Sequence, residues 1–400
     1  GGGGGRAGNV SLSSDQSVTT NGSLSVGLLA QSIGGNGGSG GFSAALAGST
    51  IVAPAISVGG GGGNGSIAGT VNVISNGRIA TKGDLSTGIL AQSIGGSGGN
   101  GGSALSGAIA TGAPKVPLSV GAAGATGGSG GTGQAAKAVA VNSMGDIVTS
   151  GLSSIGIIAQ SIGGGGGNGG NAAAFSVTAG GGNSKNTSVS ASVAIGGAGA
   201  AGGNADSVIV NQFGNIVTGA PVTPGSAGSG DQSIGILAQS IGGSGGNGGS
   251  AYANSISGTA SVAVSVGGGG GVGGNGGTVA VNFNPYEYIA SWSDLVVNIG
   301  DNPTYGFEHY LTSSIREGRN SNGFNVLQYL ANYTDLQAAF GNDLTAAAKH
   351  YVTYGYHEGR TDKPLAGVAS IAMPNAGSIT TYGNAASAIY AQSVGGGGGN

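Results

Sequence analysis

Apolar positions along this chain fall in short runs that alternate with polar ones, and the runs recur. Val71-Asn72-Val73-Ile74, Val139-Ala140-Val141, Val208-Ile209-Val210 and Val262-Ala263-Val264-Ser265-Val266 have the period of two and the β-branched content of strands. A second run, Gly-Ile-Leu-Ala-Gln-Ser-Ile-Gly-Gly with small variations, occurs at Gly27–Gly35, Gly88–Gly96, Gly156–Gly164, Gly235–Gly243 and Ala388–Val394. It places a glutamine at Gln31, Gln92, Gln160, Gln239 and Gln392, at spacings of 61, 68, 79 and 153. A third signature precedes each, as in Ile79-Ala80-Thr81-Lys82-Gly83, and puts threonine at Thr20, Thr81, Thr149, Thr218 and Thr381. A fourth lies between units: Ile56–Gly59, Leu118–Gly121, Val193–Gly196 and Val264–Gly267. Val10–Ser32, Val71–Ser93, Val139–Ser161 and Ile371–Ser393 align over 23 residues without a gap.

Short strands separated by Gly/Asn/Ser tracts predict a mainly β fold, a parallel β-helix or β-solenoid built from glycine-rich repeats. In this reading the tracts are tight corners, where glycine supplies positive φ. If a unit is one wide coil, the glutamines and threonines stack at the strand spacing of about 4.8 Å. If it is two or three coils of about twenty to thirty residues, in keeping with short solenoid repeats, they share a face without touching. The second arrangement is the one expected. Extra residues around Ala220–Gly230 read as a surface loop.

The pattern changes between Asn282 and Ala366. This stretch holds the only Trp, nine of twelve Tyr, all three His and nine of fourteen acidic residues. It duplicates itself at an offset of 41: Tyr288, Asp294, His309 and Arg319 match Tyr329, Asp335, His350 and Arg360. Removing Asn284–Leu365, 82 residues, brings the spacing of 153 down to 71, which marks an insertion between two coils. Each copy reads as two helices, the first through Tyr329, Leu330, Tyr333, Leu336 and Phe340, the second from Leu344 to Tyr354, with Thr334 or Asp343 as a cap and Gly355 as a stop. The organisation expected is solenoid over 1–283, a small four-helix insertion over 284–365, and solenoid again over 366–400.

Composition narrows the picture. Glycine supplies 95 of 400 residues without a Gly-X-Y period, and only 9 are proline, which excludes collagen and a polyproline rod. A net charge of −3, thinly spread, gives no basis for nucleic-acid binding. Cysteine is absent, so there is no disulfide framework or thiolate site. The chain opens in a glycine tract with no Met or signal peptide, as a segment of a longer polypeptide would.

Candidate chemistry is sparse. His309 and His350 hold equivalent places in a duplication, which fits a structural imidazole bonded to a backbone carbonyl or to Asp294 or Asp335 of its own copy. Glu317-Gly318-Arg319 and Glu358-Gly359-Arg360 read as turns with a local ion pair. The rod carries five acidic residues, Asp15, Asp84, Asp146, Asp206 and Asp231, too scattered for a glycosidase or lyase cleft. The glycine tracts lack the Lys-Ser/Thr of a phosphate loop and the aspartates of calcium-binding nonapeptides. No catalytic residue, metal ligand or cofactor is nominated. Trp292, Tyr286, Tyr354 and Tyr356 are the candidates for a contact surface, against the plainer alternative that they form the core of the insertion.

The Gln-Ser repeats with the Ile-x-Thr-x-Gly strands before them resemble passenger regions of large proteobacterial autotransporters, over about four-fifths of the chain. That resemblance implies a β-helical passenger displayed outside the cell by a separate outer-membrane barrel, for adhesion, aggregation or biofilm formation. The insertion, through Tyr329-Leu330-Ala331, Asp335-Leu336, His350-Tyr351 and Glu358-Gly359-Arg360, resembles a tandem module of large secreted bacterial proteins. The expectation is therefore a non-enzymatic, extracellular structural and adhesive rod. Its partners would be other copies of itself, neighbouring surface proteins or polysaccharide, and it would meet a membrane only through a barrel outside this segment. The alternatives are a self-assembling filament subunit, motivated by uncapped ends at Gly1 and Asn400, and a carbohydrate-active enzyme on a β-helix.

Overall fold

A computed structural model describes residues 1–112, 118–179, 186–220, 230–281, 284–314, 317–319, 323–341, 343–371 and 378–400. The loop expected around Ala220–Gly230 falls largely on residues 221–229, outside those described. The chain is mainly β and winds into a β-solenoid of five parallel sheets, each stacking the same strand of successive coils. Sheet I holds Val10–Ser14, Val71–Ser75, Val139–Ser143, Val208–Gln212 and Val279–Val281. Sheet II holds Val18–Thr20, Ile79–Lys82, Ile147–Ser150, Ile216–Ala220 and Ile379–Thr381. Sheet III holds Val26–Ile33, Thr87–Ile94, Ile155–Ile162, Ile234–Ile241 and Ser387–Val394. Sheet IV (Ser43–Ser49, Ala104–Ala110, Ala172–Thr178, Ala251–Ser257) and sheet V (Val52–Val58, Leu118–Thr126, Thr187–Ile195, Ala260–Val266) have four strands each.

One unit is therefore one wide coil, not two or three. Gln31 pairs with Gln92, Gln92 with Gln160, Gln160 with Gln239 and Gln239 with Gln392 in continuous register. The expected division into short coils failed because it treated the glycine tracts as corners between strands, whereas they span the width of the coil.

Two different cores result. Sheets I, II and III enclose aliphatic side chains, among them Val73, Ile79, Ile89, Val141, Ile147, Ile157, Val210 and Ile236, all fully buried. Gly88 of the Gly-Ile-Leu-Ala-Gln-Ser motif faces this core, and a Cβ there would lie 2.7 Å from Ile147 Cγ2, so the isoleucine of sheet II occupies the space a side chain would need. Sheets IV and V form a thin sandwich whose inner faces are alanine, including Ala55, Ala108, Ala123, Ala174 and Ala194. Serines join them in the third coil, where Ser176 Oγ lies 2.7 Å from Ser190 Oγ and accepts from Ser192 Oγ at 2.8 Å. Small side chains bring the two sheets close together.

The glycine tracts connect the two parts, one running out from sheet III to sheet IV and one returning from sheet V to sheet I. None of their glycines has positive φ; the left-handed glycines lie elsewhere, as at Gly83 and Gly151. What they have is a three-residue hydrogen-bond repeat, the periodicity of a polyproline II helix. In the second coil Gly95 N–H donates to Ile162 O of the next coil and Gly96 N–H to Ser66 O of the opposite tract, both at 2.8 Å. Ser97 N–H donates to the Asn36 side chain at 2.9 Å. The cycle continues at Gly98 (to Gly165 O), Gly99 (to Gly63 O), Gly101 (to Asn168 O) and Gly102 (to Gly60 O). The repeat is thus Gly-Gly-X. The first two residues bond to neighbouring backbones, and X faces outward.

Close approach of backbones, rather than backbone freedom, is the reason for glycine. A Cβ at Gly98 would stand 1.7 Å from Gly131 O, and one at Gly131 would stand 1.9 Å from Gly63 O. At the X position Gly165 a Cβ would meet nothing nearer than 3.6 Å. X is often asparagine because its Oδ1 accepts the backbone N–H one coil further on: Asn168 N–H to Asn100 at 3.0 Å, Asn247 N–H to Asn168 at 2.7 Å, Asn400 N–H to Asn247 at 3.0 Å. Backbone donors that a free polyproline II helix leaves to water are satisfied here within the protein.

The corner from sheet II to sheet III carries a left-handed non-glycine residue in every coil: Leu24, Leu85, Ser153, Gln232 and Ala385, with φ between 52 and 61°. The first four are held by N–H donation to the next coil, as Leu85 to Leu152 O at 2.8 Å. One repeat signature is out of register. Leu118 pairs with Thr187, and the true partners of Ile56-Ser57-Val58 are Gly124-Ala125-Thr126. The glycine tract that follows each strand of sheet V sets this register, and it begins at Gly127 in that coil.

The helical residues interrupt a coil instead of separating two. Val279–Val281 takes the fifth place in sheet I and Ile379–Thr381 the fifth place in sheet II, so the insertion occupies the corner between them. Ile371, which aligns with Val10 by sequence, donates its N–H to Gln328 Oε1 of the insertion at 2.6 Å. There are six short α-helices among the described residues, not four: α1 (Pro285–Ala290), α2 (Ser293–Asn298), α3 (Pro303–His309), α4 (Val326–Asn332), α5 (Thr334–Phe340) and α6 (Leu344–His350). The expected long first helix breaks at Trp292 and at its equivalent Tyr333, both extended with φ −135°. A π-helical turn follows α3 and α6. Asp343 caps α6 as expected, accepting from Ala346 N–H at 3.0 Å, whereas Thr334 is the first helical residue and caps nothing.

Gly131→Ala drives a methyl into Gly63 O and is expected to destabilise the rod by at least ~3 kcal/mol. Gly165→Ala, at an X position, is expected to leave it near the parent value. Thermal melts followed by circular dichroism check the pair; equal melting temperatures would disprove the close-packed glycine layer.

Candidate contact surface

Two sets of residues are candidates, the glutamine column of the rod and the aromatics of the helical module. The glutamines form a ladder on the outer face of sheet III. Each Nε2 donates to the Oε1 one coil on: Gln31 to Gln92 at 2.5 Å, Gln92 to Gln160 at 2.6 Å, Gln160 to Gln239 at 2.7 Å and Gln239 to Gln392 at 3.0 Å. A strand places alternate residues on opposite faces, so Gln points outward while the serine after it points in. Ser93, fully buried, donates to Gly69 O at 2.9 Å and accepts from Lys137 N–H at 2.8 Å, which ties sheet III to the tract entering sheet I. The Gln-Ser pair is therefore framework on both faces. Thr81, Thr149 and Thr218 are buried in sheet II, as an interior column requires.

The helical module is built on the duplication, and equivalent residues make equivalent contacts. Tyr288 Oη meets His309 Nδ1 at 3.0 Å, and Tyr329 Oη meets His350 Nδ1 at 2.9 Å. The imidazoles thus pair with buried tyrosines, not with carbonyls or with Asp294 and Asp335. Those aspartates are taken by arginine. Arg319 grips Asp294 through Nη1 and Nη2, both at 2.8 Å, and stacks on Trp292 at 5.1 Å. Arg360 reaches Asp335 at 2.8 Å and stacks on Tyr333 at 4.8 Å. The local pairs to Glu317 and Glu358, both 2.6 Å, are present as well. Hydrogen bonding to the guanidinium holds the Asp294 and Asp335 carboxyls below the usual carboxylate range. Each Glu-Gly-Arg turn therefore fastens the end of its copy to its own second helix through a planar, bidentate or stacked guanidinium.

Of the four nominated aromatics, Tyr286 is a correction. It lies in the module core, 9% exposed, with its hydroxyl donating to Asp301 at 2.7 Å and Lys349 5.6 Å from its ring. Burial, then the bond to Asp301, push its pKa up. Asp301 also binds Lys349 at 3.1 Å, so this group fastens one copy to the other. Trp292 and Tyr356 are half-buried against the same core, and only Tyr354 of the four is exposed, at 62%. The four do not form one surface: the large residues of a small module are needed to fill its core. Met144 and Phe213, from the corners between sheets I and II of the third and fourth coils, pack against that core and seat the module on the rod.

Three of the five acidic residues of the rod are corner caps. Asp84 accepts from Leu152 N–H at 2.8 Å, Asp146 from Asn215 N–H at 2.7 Å and Asp231 from Asn384 N–H at 2.7 Å. Among the described residues no three His, Asp or Glu converge as a metal site would need. No helix among the described residues is long and apolar enough to cross a membrane. A shallow uncharged groove runs along the rod where a glycine tract meets sheet IV, with Phe42, Leu105 and Tyr252 on its sides.

Gln160→Ala removes two rungs from the middle of the ladder and is expected to cost about 1–2 kcal/mol, with binding properties unchanged. A denaturant titration checks it; a loss of cell or polymer binding without loss of stability would make the ladder a recognition surface instead. Glu287 on α1 has its carboxyl pushed up to about 7 by burial, against an ordinary 4.5. Between those values the unfolded chain is ionised while the folded one keeps its proton, so stability falls as pH rises through the window and the full penalty applies above it. Glu287→Gln should therefore stabilise the module at pH 8 by up to ~3 kcal/mol and change little at pH 4. Melts at the two pH values check the sign.

Comparison of the chain with protein-family models, with curated proteins and with solved structures gives no match.

Proposed function

We propose that this chain is a non-enzymatic structural and adhesive rod of the bacterial cell surface, carrying its helical module as a lateral contact domain. The reading of surface display rests on the resemblance of the Gln-Ser repeats to autotransporter passengers. The observation that carries the structural role is the use made of polar groups. Many Gln, Ser, Asn and Asp side chains of the rod bond to the next coil, as in the ladder from Gln31 to Gln392 and the asparagine column from Asn100 to Asn400. Side chains used this way hold a long object together and leave few groups poised to react. His309 and His350, the residues best suited to proton transfer, are each paired with a tyrosine inside the module.

The module protrudes from a corner and leaves the ladders continuous on either side, since Ile216–Thr218 still pairs with Ile379–Thr381. A domain placed this way adds contacts without shortening the rod, and many rods on one surface multiply weak contacts into avidity.

Electron microscopy and cell-aggregation assays on the chain and on a version lacking 284–365 test the proposal. Rods of equal length from both, with aggregation or surface binding only from the full chain, are the expected result. Turnover of a polysaccharide by the full chain, abolished by an aspartate substitution, would replace the proposal with an enzymatic one.

A further inference from the structure

The outer face of sheet V has the composition of an interior. Four outward positions on each of its four strands make sixteen, in rows such as Ile56, Gly124, Val193 and Val264, and Val58, Thr126, Ile195 and Val266. Thr126 is the single polar residue among them, and none is charged. The β-branched side chains stand well out: Ile56 is 76% exposed, Val58 60% and Val262 59%. The opposite face of the same strands, turned toward sheet IV, is alanine and serine with one glycine, Gly121. The sandwich therefore carries its small residues inside and its large apolar ones outside, the reverse of a sheet that meets water on its outer face. A contiguous apolar face of this kind marks an interaction surface.

We infer that the chain pairs side by side with a second copy of itself through the outer faces of sheet V, about a twofold axis. Flatness and size choose this occupant. Strands about 4.8 Å apart and seven residues rising about 3.3 Å each give a face of roughly 450 Å². Two copies cover about 900 Å² in projection, and the relief of the side chains brings the accessible area to the ~1,000 Å² and above that a stable interface needs. A second copy offers a surface of the same twist and the same β-branched relief, which lets two sheets pack face to face about 10 Å apart. With no charge on the face, like faces meet without repulsion. The outer face of sheet IV is also apolar but uneven. Each face has a glycine dent, Gly107 beside Leu46 on sheet IV and Gly124 beside Ile56 on sheet V, but sheet IV also sets the Phe175 ring beside the Asn254 amide, with Tyr252 standing next to it. It does not offer a flat mate.

Sedimentation equilibrium of the 400-residue chain should give twice the 37.1 kDa of one copy. Val193→Lys with Val264→Lys should give single copies with unchanged circular dichroism, whereas Leu105→Lys, on sheet IV, should still pair. The chain has no cysteine, so a single introduced thiol reports one contact. Ala122→Cys and Ala191→Cys, near the centre of the face, should give a linked dimer with a bismaleimide that spans about 10 Å, the separation of packed sheets. A monomeric parent chain, pairing that survives the double lysine change, or the absence of a linked species from both cysteine variants would each overturn the inference.

Discussion

The rod depends on one constraint: each coil is held to the next by backbone hydrogen bonds in register over nearly its whole path. In the sheets this is ordinary parallel pairing. In the glycine tracts it requires backbones to meet where side chains would normally stand, and a Cβ at Gly98 or Gly131 would fall inside a carbonyl of the adjoining tract. The two columns of tracts bond upward within themselves and sideways to each other, so they form a solid layer between the aliphatic core and the thin alanine sandwich.

Register then assigns the side chains. Because equivalent residues lie one strand spacing apart, any polar side chain that repeats finds its own copy above and below. Glutamine amides bond in a row, asparagine at the X position accepts the N–H of the next coil, and aspartate does the same at corners. These bonds are individually modest. Their value lies in repetition, since a coil that slipped by one residue would lose all of them together and turn its apolar face the wrong way.

The helical module follows a different logic within the same chain. It has no ladder, and its order comes from two matched copies, each fastened by a Tyr–His contact and by an arginine stacked on an aromatic. The Tyr286–Asp301–Lys349 group joins the copies, and Met144 and Phe213 join them to the rod. Large exposed apolar side chains are spread over sheets III, IV and V, the corners and the module. The functional proposals rest on two of these surfaces, the outer side of the module at Tyr354 and the outer face of sheet V, because the remaining polar groups serve the framework.

The strands, the solenoid class, the recurrence of glutamine and of threonine on one face each, Asp343 as one of two candidate caps and the duplication at 41 were legible in the residues alone. Each depends on local periodicity or on an offset that the chain carries in one dimension. Other features required contacts between segments sixty or more residues apart. That a unit is one coil, and that Gly-Gly-X tracts are a packed layer instead of corners, follows from which carbonyl each glycine faces; glycine spacing by itself allows both. The register that matches Gly124 to Ile56 overrides the closer likeness of Leu118–Gly121, because the position of the following tract decides it. The module lies inside a coil since pairing selects Val279–Val281 for sheet I over Ile371, which has the gap-free spacing to the strands that follow. Tyr286 is buried and the histidines pair with tyrosine because the two copies fold onto one another, and composition cannot say which aromatics of a small module fill its core and which face outward.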